Sequence, residues 1–204
     1  MNPKLFIFSV VMLAAASSFI SLPTNSLAIK IGDTLPLKDH VMQNPEGKKV
    51  TLISQKKENG LLVMFSCNTC PYVIRNQSRT KDICKEALKK NIGVILLNSN
   101  EAFRGDDDSP SAMKQYAQAQ GYQWEYVIDK NNILADKFGA NRTPECFLFN
   151  KDLKLVYHGA IDDNPSQASN VQRTHLKIAM EQMLAGKDVT IKETRSVGCS
   201  IKRK

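Results

Sequence analysis

The sequence lacks the features of a repetitive, multidomain or nucleic-acid-binding chain. It has no internal repeat and no low-complexity or linker-like stretch, and only 7% of its 204 residues are aromatic. Although its formal net charge is +8, its basic residues are scattered among acidic ones. They are not interleaved with aromatic residues, as they are in nucleic-acid sites. We therefore predict one globular domain that binds no nucleic acid.

Long apolar runs are also missing, except at the N-terminus. Residues 5–20 are almost wholly apolar, Pro23 follows them, and residues 26–28 have the small-x-small pattern of a signal-peptidase site. The run is shorter than the roughly 20 residues that span a bilayer. The pattern predicts a signal peptide over residues 1–28 and a mature domain over residues 29–204. That domain is expected to be secreted, periplasmic or otherwise extracytoplasmic, with no stable membrane insertion after cleavage.

Short apolar runs alternate with amphipathic segments in the mature part. Strands are expected at residues 50–52, 61–65, 93–97, 125–128, 146–149 and 155–158, and helices from residue 69 or 71 to about 90 and at residues 110–120, 132–138 and 174–184. Ser109 and Pro110 are a good N-cap and first helical residue. The alternation predicts an α/β fold with a central mixed sheet flanked by helices, preceded by an N-terminal extension. The loop containing Asp106, Asp107 and Asp108 is expected to be solvated.

The strongest chemical signal is the motif Cys67-Asn68-Thr69-Cys70-Pro71, which follows a buried strand and opens a helix. Cysteines three residues apart on one helix face lie about 5–6 Å from each other, a separation compatible with a disulfide. A helix N-terminus stabilises the reactive thiolate. We expect Cys67, nearer the strand end and solvent, to attack, and Cys70 to lie one turn inside the helix.

Two other interpretations of this cysteine pair remain open, a static disulfide and half of a zinc site. Zinc requires further ligands, but no second Cys-x-x-Cys and no His pair stands at ligand spacing. We therefore favour redox chemistry, with no metal and no organic cofactor.

The chain has five cysteines, an odd number, so at least one thiol is free or bonds another molecule. Cys84 in a helix and Cys146 in a strand are expected to be buried free thiols. Cys199, in a small and basic tail, is expected at the surface as a spare thiol with an auxiliary role in exchange.

Several motifs together resemble one known family. They are Phe65-Ser66-Cys67-Asn68-Thr69-Cys70-Pro71-Tyr72-Val73, Thr143-Pro144-Glu145, Gly159-Ala160-Ile161-Asp162-Asp163-Asn164 and Val197-Gly198-Cys199-Ser200-Ile201-Lys202. The chain is similar to the thioredoxin-like redoxins of the alkyl hydroperoxide reductase/thiol-specific antioxidant superfamily, and most similar to its peroxiredoxin-like group. Ser66 and Leu61 stand where thioredoxins have a Trp and a buried acid.

The resemblance implies a thioredoxin-like fold and a set of site residues. Pro144 is expected to be a cis-proline against the catalytic pair Cys67 and Cys70. The positions expected to bind substrate are Asn68, Thr69, Arg142 and Thr143. Asp162 and Asp163 either shuttle a proton for Cys70 or cap a turn, and we favour the turn.

The function expected from this resemblance is that of an extracytoplasmic thiol–disulfide oxidoreductase. Its partners would be protein or small-molecule disulfides and thiols, together with an unidentified redox partner. One alternative is a thiol-dependent peroxidase, because Cys70-Pro71 resembles the Cys-Pro of peroxiredoxins and Arg142 lies where their activating Arg would be. Another is a copper-binding thioredoxin-fold protein that adds His158 or His175 to the two cysteines, although both histidines are better explained as surface or hydrogen-bonded residues.

Overall fold

A computed structural model describes residues 28–204 of the chain. The expected signal peptide, apart from its last residue, lies outside the described residues. Within residues 28–204, no helix is long and apolar enough to cross a membrane.

The described chain alternates strands with helices, as the sequence predicts. The strands are β1 (Met42–Gln43), β2 (Lys49–Val50), β3 (Leu61–Ser66), β4 (Gly93–Asn98), β5 (Glu125–Ile128), β6 (Arg142–Thr143), β7 (Glu145–Phe149), β8 (Leu155–Gly159) and β9 (Cys199–Ser200). The α-helices are α1 (Leu52–Gln55), α2 (Pro71–Lys89), α3 (Pro110–Gln120), α4 (Ile133–Phe138) and α5 (His175–Leu184). Short 3-10 helices lie at Glu101–Phe103, Lys130–Asn132 and Ala168–Asn170.

Seven strands form one mixed sheet in the order β2-β1-β5-β4-β3-β7-β8. The central strands β3, β4 and β5 are parallel, whereas β7 pairs antiparallel with β3 and β8 antiparallel with β7. Strands β6 and β9 form a separate antiparallel pair. Because the carboxyl ends of parallel strands meet at one edge, the loops after β3 and β4 lie side by side.

The central strands are buried on both faces, which explains their unbroken apolar sequence. All six residues of β3 and all six of β4 are buried. On one face, α2 and α5 pack through Ile83, Cys84 and Met180. On the other face, α4 packs through Leu134 and Phe138. The two apolar layers hold the sheet rigidly, so the loops at its edge have fixed positions.

One short element differs from the prediction. A strand was expected over residues 50–52, but β2 ends at Val50 and Thr51 caps helix α1. Thr51 Oγ1 accepts a hydrogen bond from the Ser54 N–H (3.2 Å), and Ser54 Oγ accepts one from the Thr51 N–H (3.1 Å). This reciprocal capping box satisfies two helix N–H groups, and it outweighs the strand preference of the apolar run.

Phe138 is the residue through which α4 holds the sheet. Its ring is fully buried and meets the edges or faces of Phe65, Phe147 and Phe149 at centroid distances of 5.5, 5.1 and 6.0 Å. Phe65 lies two residues before Cys67, so this packing also supports the strand end that carries the site.

We predict that Phe138→Ala lowers the free energy of unfolding by about 3–5 kcal/mol, because it leaves a cavity among these rings. Phe103→Ala, at a ring that is 37% exposed, is the control and is expected to cost about 0.5 kcal/mol or less. Urea denaturation followed by circular dichroism measures both. Equal losses in the two variants would contradict this assignment.

Candidate active site

The cysteine motif forms the loop between β3 and α2. Strand β3 ends at Ser66, and the helix begins at Pro71 with Cys70 as its N-cap. The expectation that Cys70 lies one turn inside the helix, with Cys67 nearer solvent, is wrong. Both side chains are buried, with 1% of Cys67 and 4% of Cys70 exposed. Pro71 explains where the helix starts: the first helical residue needs no N–H partner, so the helix begins after the second cysteine. Cys70 is therefore the N-cap and does not lie inside the helix.

The two sulfur atoms meet at Thr143. Cys67 Sγ lies 3.3 Å from the Thr143 hydroxyl, and the Cys70 thiol donates to the Thr143 carbonyl at 3.2 Å. The Thr143–Pro144 peptide bond is cis, as the resemblance implies, and both residues are buried. All five cysteines are free thiols in this structure. The predicted pair and the predicted cis-proline segment therefore form one site.

The surroundings of the two thiols shift their pKa values in opposite directions. The hydrogen bond from Cys67 lowers the pKa of Cys70, and contacts with the Cys199 thiol and with the N–H groups of Val73 and Cys199 lower it further, against the effect of burial. The same hydrogen bond, together with burial and the charge of Asp108, raises the pKa of Cys67. These opposite shifts favour Cys70 over Cys67 as the site of the thiolate.

Asp108 is the residue that the sequence analysis missed. The loop around it was expected to be solvated, and Asp107 is exposed, but Asp108 is fully buried. Its Oδ1 accepts hydrogen bonds from the Asn68 backbone N–H (2.9 Å) and from Asn98 Nδ2 (2.6 Å), and its Oδ2 accepts one from Asn100 Nδ2 (2.8 Å). The three hydrogen-bond donors compensate the free-energy cost of burying this carboxylate. Through the Asn68 N–H, the carboxylate also fixes the loop between the two cysteines.

A signal for this buried acid does exist in the sequence. The polar residues Asn98, Ser99 and Asn100 follow directly on a buried strand, at the edge where parallel sheets place their functional sites. The three consecutive aspartates do not reveal which one turns inward. In the structure, Arg104 joins the backbone at Asp108 to the end of β4, since it donates to the Asp108 carbonyl (2.7 Å) and to the Asn98 carbonyl (2.8 Å).

The expected substrate-binding residues lie around the pair but do not share one orientation. Asn68 points inward, because its Nδ2 donates to the Asp107 carbonyl (2.7 Å) and its Oδ1 accepts from the Tyr126 hydroxyl (2.9 Å). Thr69 is exposed. The exposed Arg142 donates through Nη1 to the Gly198 carbonyl at 3.4 Å. Thr143 thus contacts both sulfurs, whereas the side chain of Asn68 holds the loop.

The two candidate auxiliary acids, Asp162 and Asp163, belong to a turn, the interpretation that the sequence analysis favoured. Asp162 is buried, forms an ion pair with Arg79 and accepts from the Asn164 N–H (3.0 Å). Asp163 is exposed and accepts from the Gln172 N–H (3.0 Å).

The two histidines do not join the cysteines. His158 Nε2 is 2.7 Å from Glu145 Oε1, and its ring stacks on Phe147 at 4.2 Å. His175 begins helix α5 on the layer that packs against α2. Among the described residues, no group of three or more His, Cys, Asp or Glu side chains is arranged to hold a metal ion.

Cys199 is only partly exposed, and it lies beside the pair. It lies in β9, which pairs with β6 so that Cys199 stands opposite Thr143. It is half-buried and packs against the cluster formed by Cys67, Cys70 and Val73. The expectation failed because the tail is fixed by backbone pairing and needs no apolar helix. Cys84 and Cys146 are fully buried, as predicted.

Comparisons with known proteins agree with this architecture. The sequence model of the AhpC/TSA family matches residues 31–158. Thiol-disulfide oxidoreductase ResA of Bacillus thuringiensis (strain Al Hakam) is 24% identical over 128 residues, which cover 63% of this chain and 68% of that protein.

Two solved structures are similar over most of the chain. An uncharacterized conserved protein from Geobacillus kaustophilus has a TM-score of 0.79 and 32% identity, covering 86% of this chain and 93% of that one. A hypothetical protein from Sinorhizobium meliloti 1021 has a TM-score of 0.78 and 30% identity, covering 87% and 96%. The thioredoxin-like fold expected from the sequence is confirmed.

We predict that Asp108→Asn lowers the pKa of Cys67, because it removes a negative charge that opposes the thiolate. It also places an amide beside donors, which costs about 1–3 kcal/mol of stability. The pH dependence of Cys67 alkylation, read by peptide mass spectrometry in a Cys70→Ser background, measures the pKa. Asp107→Asn, at an exposed side chain, is the control and should leave it unchanged. An unchanged Cys67 profile in folded Asp108→Asn would contradict the role of this carboxylate.

Proposed function

The chain belongs to the AhpC/TSA family, and we propose that it is an extracytoplasmic thiol–disulfide oxidoreductase whose redox pair is Cys67 and Cys70. The observation that carries the proposal is the meeting of both sulfurs at Thr143, beside the cis-proline Pro144. The relation to a thiol-disulfide oxidoreductase of Bacillus supports the same chemistry. The N-terminal leader pattern supports the location.

The proposed reaction transfers two electrons between the pair and a disulfide of a protein or small molecule. In the reducing direction, a thiolate of the site attacks one sulfur of the substrate disulfide, and the other leaves and takes up a proton. Cys67 and Cys70 then form a disulfide, and the second substrate sulfur is released as a thiol. No cofactor is needed, because the thiols themselves carry the electrons.

The environment of Cys70 suits this reaction. A thiolate at a helix N-terminus is stabilised by N–H groups that have no partner inside the helix. Its partner Cys67 has a raised pKa and so favours the protonated form while Cys70 is a thiolate. The raised pKa of Cys67 depends mainly on its hydrogen bond to Cys70, and this contribution ends when Cys70 loses its charge. This favours an order in which Cys70 reacts as the thiolate first and Cys67 ionises after Cys70 has entered a disulfide.

A peroxidase activity is the second candidate, favoured by the position of Cys70 at the helix N-terminus beside Pro71. In that reaction, the Cys70 thiolate takes one peroxide oxygen and becomes a sulfenic acid, and the other oxygen leaves as an alcohol or water. Against this candidate, the guanidinium of Arg142 donates to the Gly198 carbonyl, and no hydrogen bond joins it to a cysteine sulfur.

We predict that Cys67 and Cys70 form a reversible disulfide in the purified chain. The chain is titrated with mixtures of reduced and oxidised glutathione, then alkylated and analysed by peptide mass spectrometry. Both thiols should be lost together in one two-electron oxidation. Cys84→Ala, which removes a buried thiol outside the site, should titrate like the parent. A pair that never oxidises, or is reduced only when the chain unfolds, would refute the proposed function.

A separate measurement decides the peroxidase candidate. In the Cys67→Ser/Cys199→Ser variant, no neighbouring thiol of the site can capture a sulfenic acid on Cys70. We expect dimedone labelling of Cys70 at low peroxide to be slow compared with the oxidation of the parent by oxidised glutathione. Labelling faster than that oxidation would favour the peroxidase.

A further inference from the structure

The buried position of the redox pair raises the question of how a substrate disulfide reaches it. Only 1% of Cys67 and 4% of Cys70 is exposed. Strand β9 lies along β6, with Cys199 opposite Thr143 and Ser200 opposite Arg142. The segment next to the cis-proline is therefore paired already, by the chain's own C-terminal strand. An external peptide cannot pair with that edge while β9 occupies it.

The strand that covers the site carries a sulfur of its own. Cys199 packs against the cluster of Cys67, Cys70 and Val73, and its thiol contacts that of Cys70. It is more exposed than either cysteine of the pair. Side chains alternate along a strand, so the neighbouring Ser200 points the other way and is exposed. Among the described cysteines, Cys199 is the one that combines contact with the pair and contact with solvent.

The close approach of this segment depends on Gly198. A Cβ atom at position 198 would lie 2.1 Å from the Thr143 carbonyl oxygen, a backbone atom that cannot move aside cheaply. The residues after the strand are fixed as well. The Lys202 N–H donates to Asn100 Oδ1 (2.9 Å), and the Ile201 N–H donates to the Asn141 carbonyl (3.0 Å). Cys199 is therefore held beside Cys70 by contacts on both sides.

We propose that Cys199 is a third redox cysteine, which relays the disulfide between an external substrate and the buried Cys67–Cys70 pair. The proposal rests on the function proposed above and adds a residue to it. It identifies the substrate as a disulfide that is attacked at the surface by Cys199.

The relay consists of three exchanges that balance in atoms and electrons. Cys199 gives up its proton and attacks the substrate disulfide, and the departing substrate sulfur takes up a proton. Cys70 then attacks the Cys199 sulfur, and the second substrate sulfur leaves as a thiol, so that a Cys70–Cys199 disulfide remains. Finally, Cys67 gives its proton to solvent and attacks Cys70, which releases Cys199. The pair has lost two electrons, and the substrate has gained them.

The intermediate is tested in Cys67→Ser, which lacks the thiol for the last step. Oxidation with oxidised glutathione should produce a Cys70–Cys199 disulfide, identified by mass spectrometry of a non-reducing digest. The matched control is the double variant Cys199→Ser/Ser200→Cys in the same background, which moves the thiol to the exposed side of β9. It should form no disulfide with Cys70. A Cys67→Ser chain that ends as a glutathione adduct of Cys70, with Cys199 unmodified, would overturn the relay.

The kinetic role is tested by the rate at which the reduced chain reduces insulin disulfides in a single turnover. Cys199→Ser should slow this step by roughly ten-fold or more, whereas Cys67 and Cys70 should still form a reversible disulfide. Gly198→Ala should slow it similarly, although every thiol is retained. Gly105→Ala is the control, because a Cβ atom there meets open space.

The two proposals fail in different ways. A parent chain that forms no reversible Cys67–Cys70 disulfide would refute the oxidoreductase itself. A reversible pair combined with parent-like rates in Cys199→Ser would refute the relay alone.

Discussion

The site depends on one residue, Thr143, whose hydroxyl and carbonyl face the two sulfurs of the pair. The hydroxyl lies beside Cys67, the carbonyl accepts from Cys70, and the strand that contains Thr143 pairs with the strand of Cys199. The Cys67–Cys70 pair and the distant Cys199 therefore come together around a single residue. The rigid sheet makes this possible, since β3 and β7 are hydrogen-bonded neighbours and deliver Cys67 and Pro144 to the same edge.

A second constraint is the desolvated carboxylate of Asp108. Thioredoxin places an acid in the strand before its cysteines, and here Leu61 occupies that position. The buried charge comes instead from the loop before α3, and it reaches the cysteine loop through the backbone N–H of Asn68. The acid thus acts in two ways: it anchors the loop by a hydrogen bond, and it opposes ionisation of Cys67 by its charge. Asn100 joins this network to the C-terminal tail, because it contacts both Asp108 and Lys202.

Most of the fold could be predicted from sequence, because local patterns determine it. The apolar run of β3, the Ser109 cap of α3 and the Cys-x-x-Cys spacing are signals that depend on few neighbours. The errors concern residues whose environment is set by distant contacts. Asp108 is buried because Asn98, Asn100 and Arg104 surround it, and Cys199 is half-buried because β9 pairs with a strand more than fifty residues earlier. In a short polar segment, neither burial nor long-range strand pairing produces the hydrophobic periodicity from which secondary structure is predicted.

The direction of electron flow follows from a balance between these contacts. Donors that stabilise the Cys70 thiolate favour the reduced pair, and a pair whose reduced form is favoured acts as an oxidant. Burial and the charge of Asp108 act in the opposite direction, because both disfavour a Cys67 thiolate. At a pH where the Cys67 thiol would otherwise ionise, they make the reduced pair less stable. The tail supplies two of the donors, the thiol and the N–H of Cys199, so β9 affects the redox potential of the pair as well as access to it. Moving β9 away from β6 would thus expose Cys70 and remove part of its stabilisation at once, which couples the opening of the site to its reactivity.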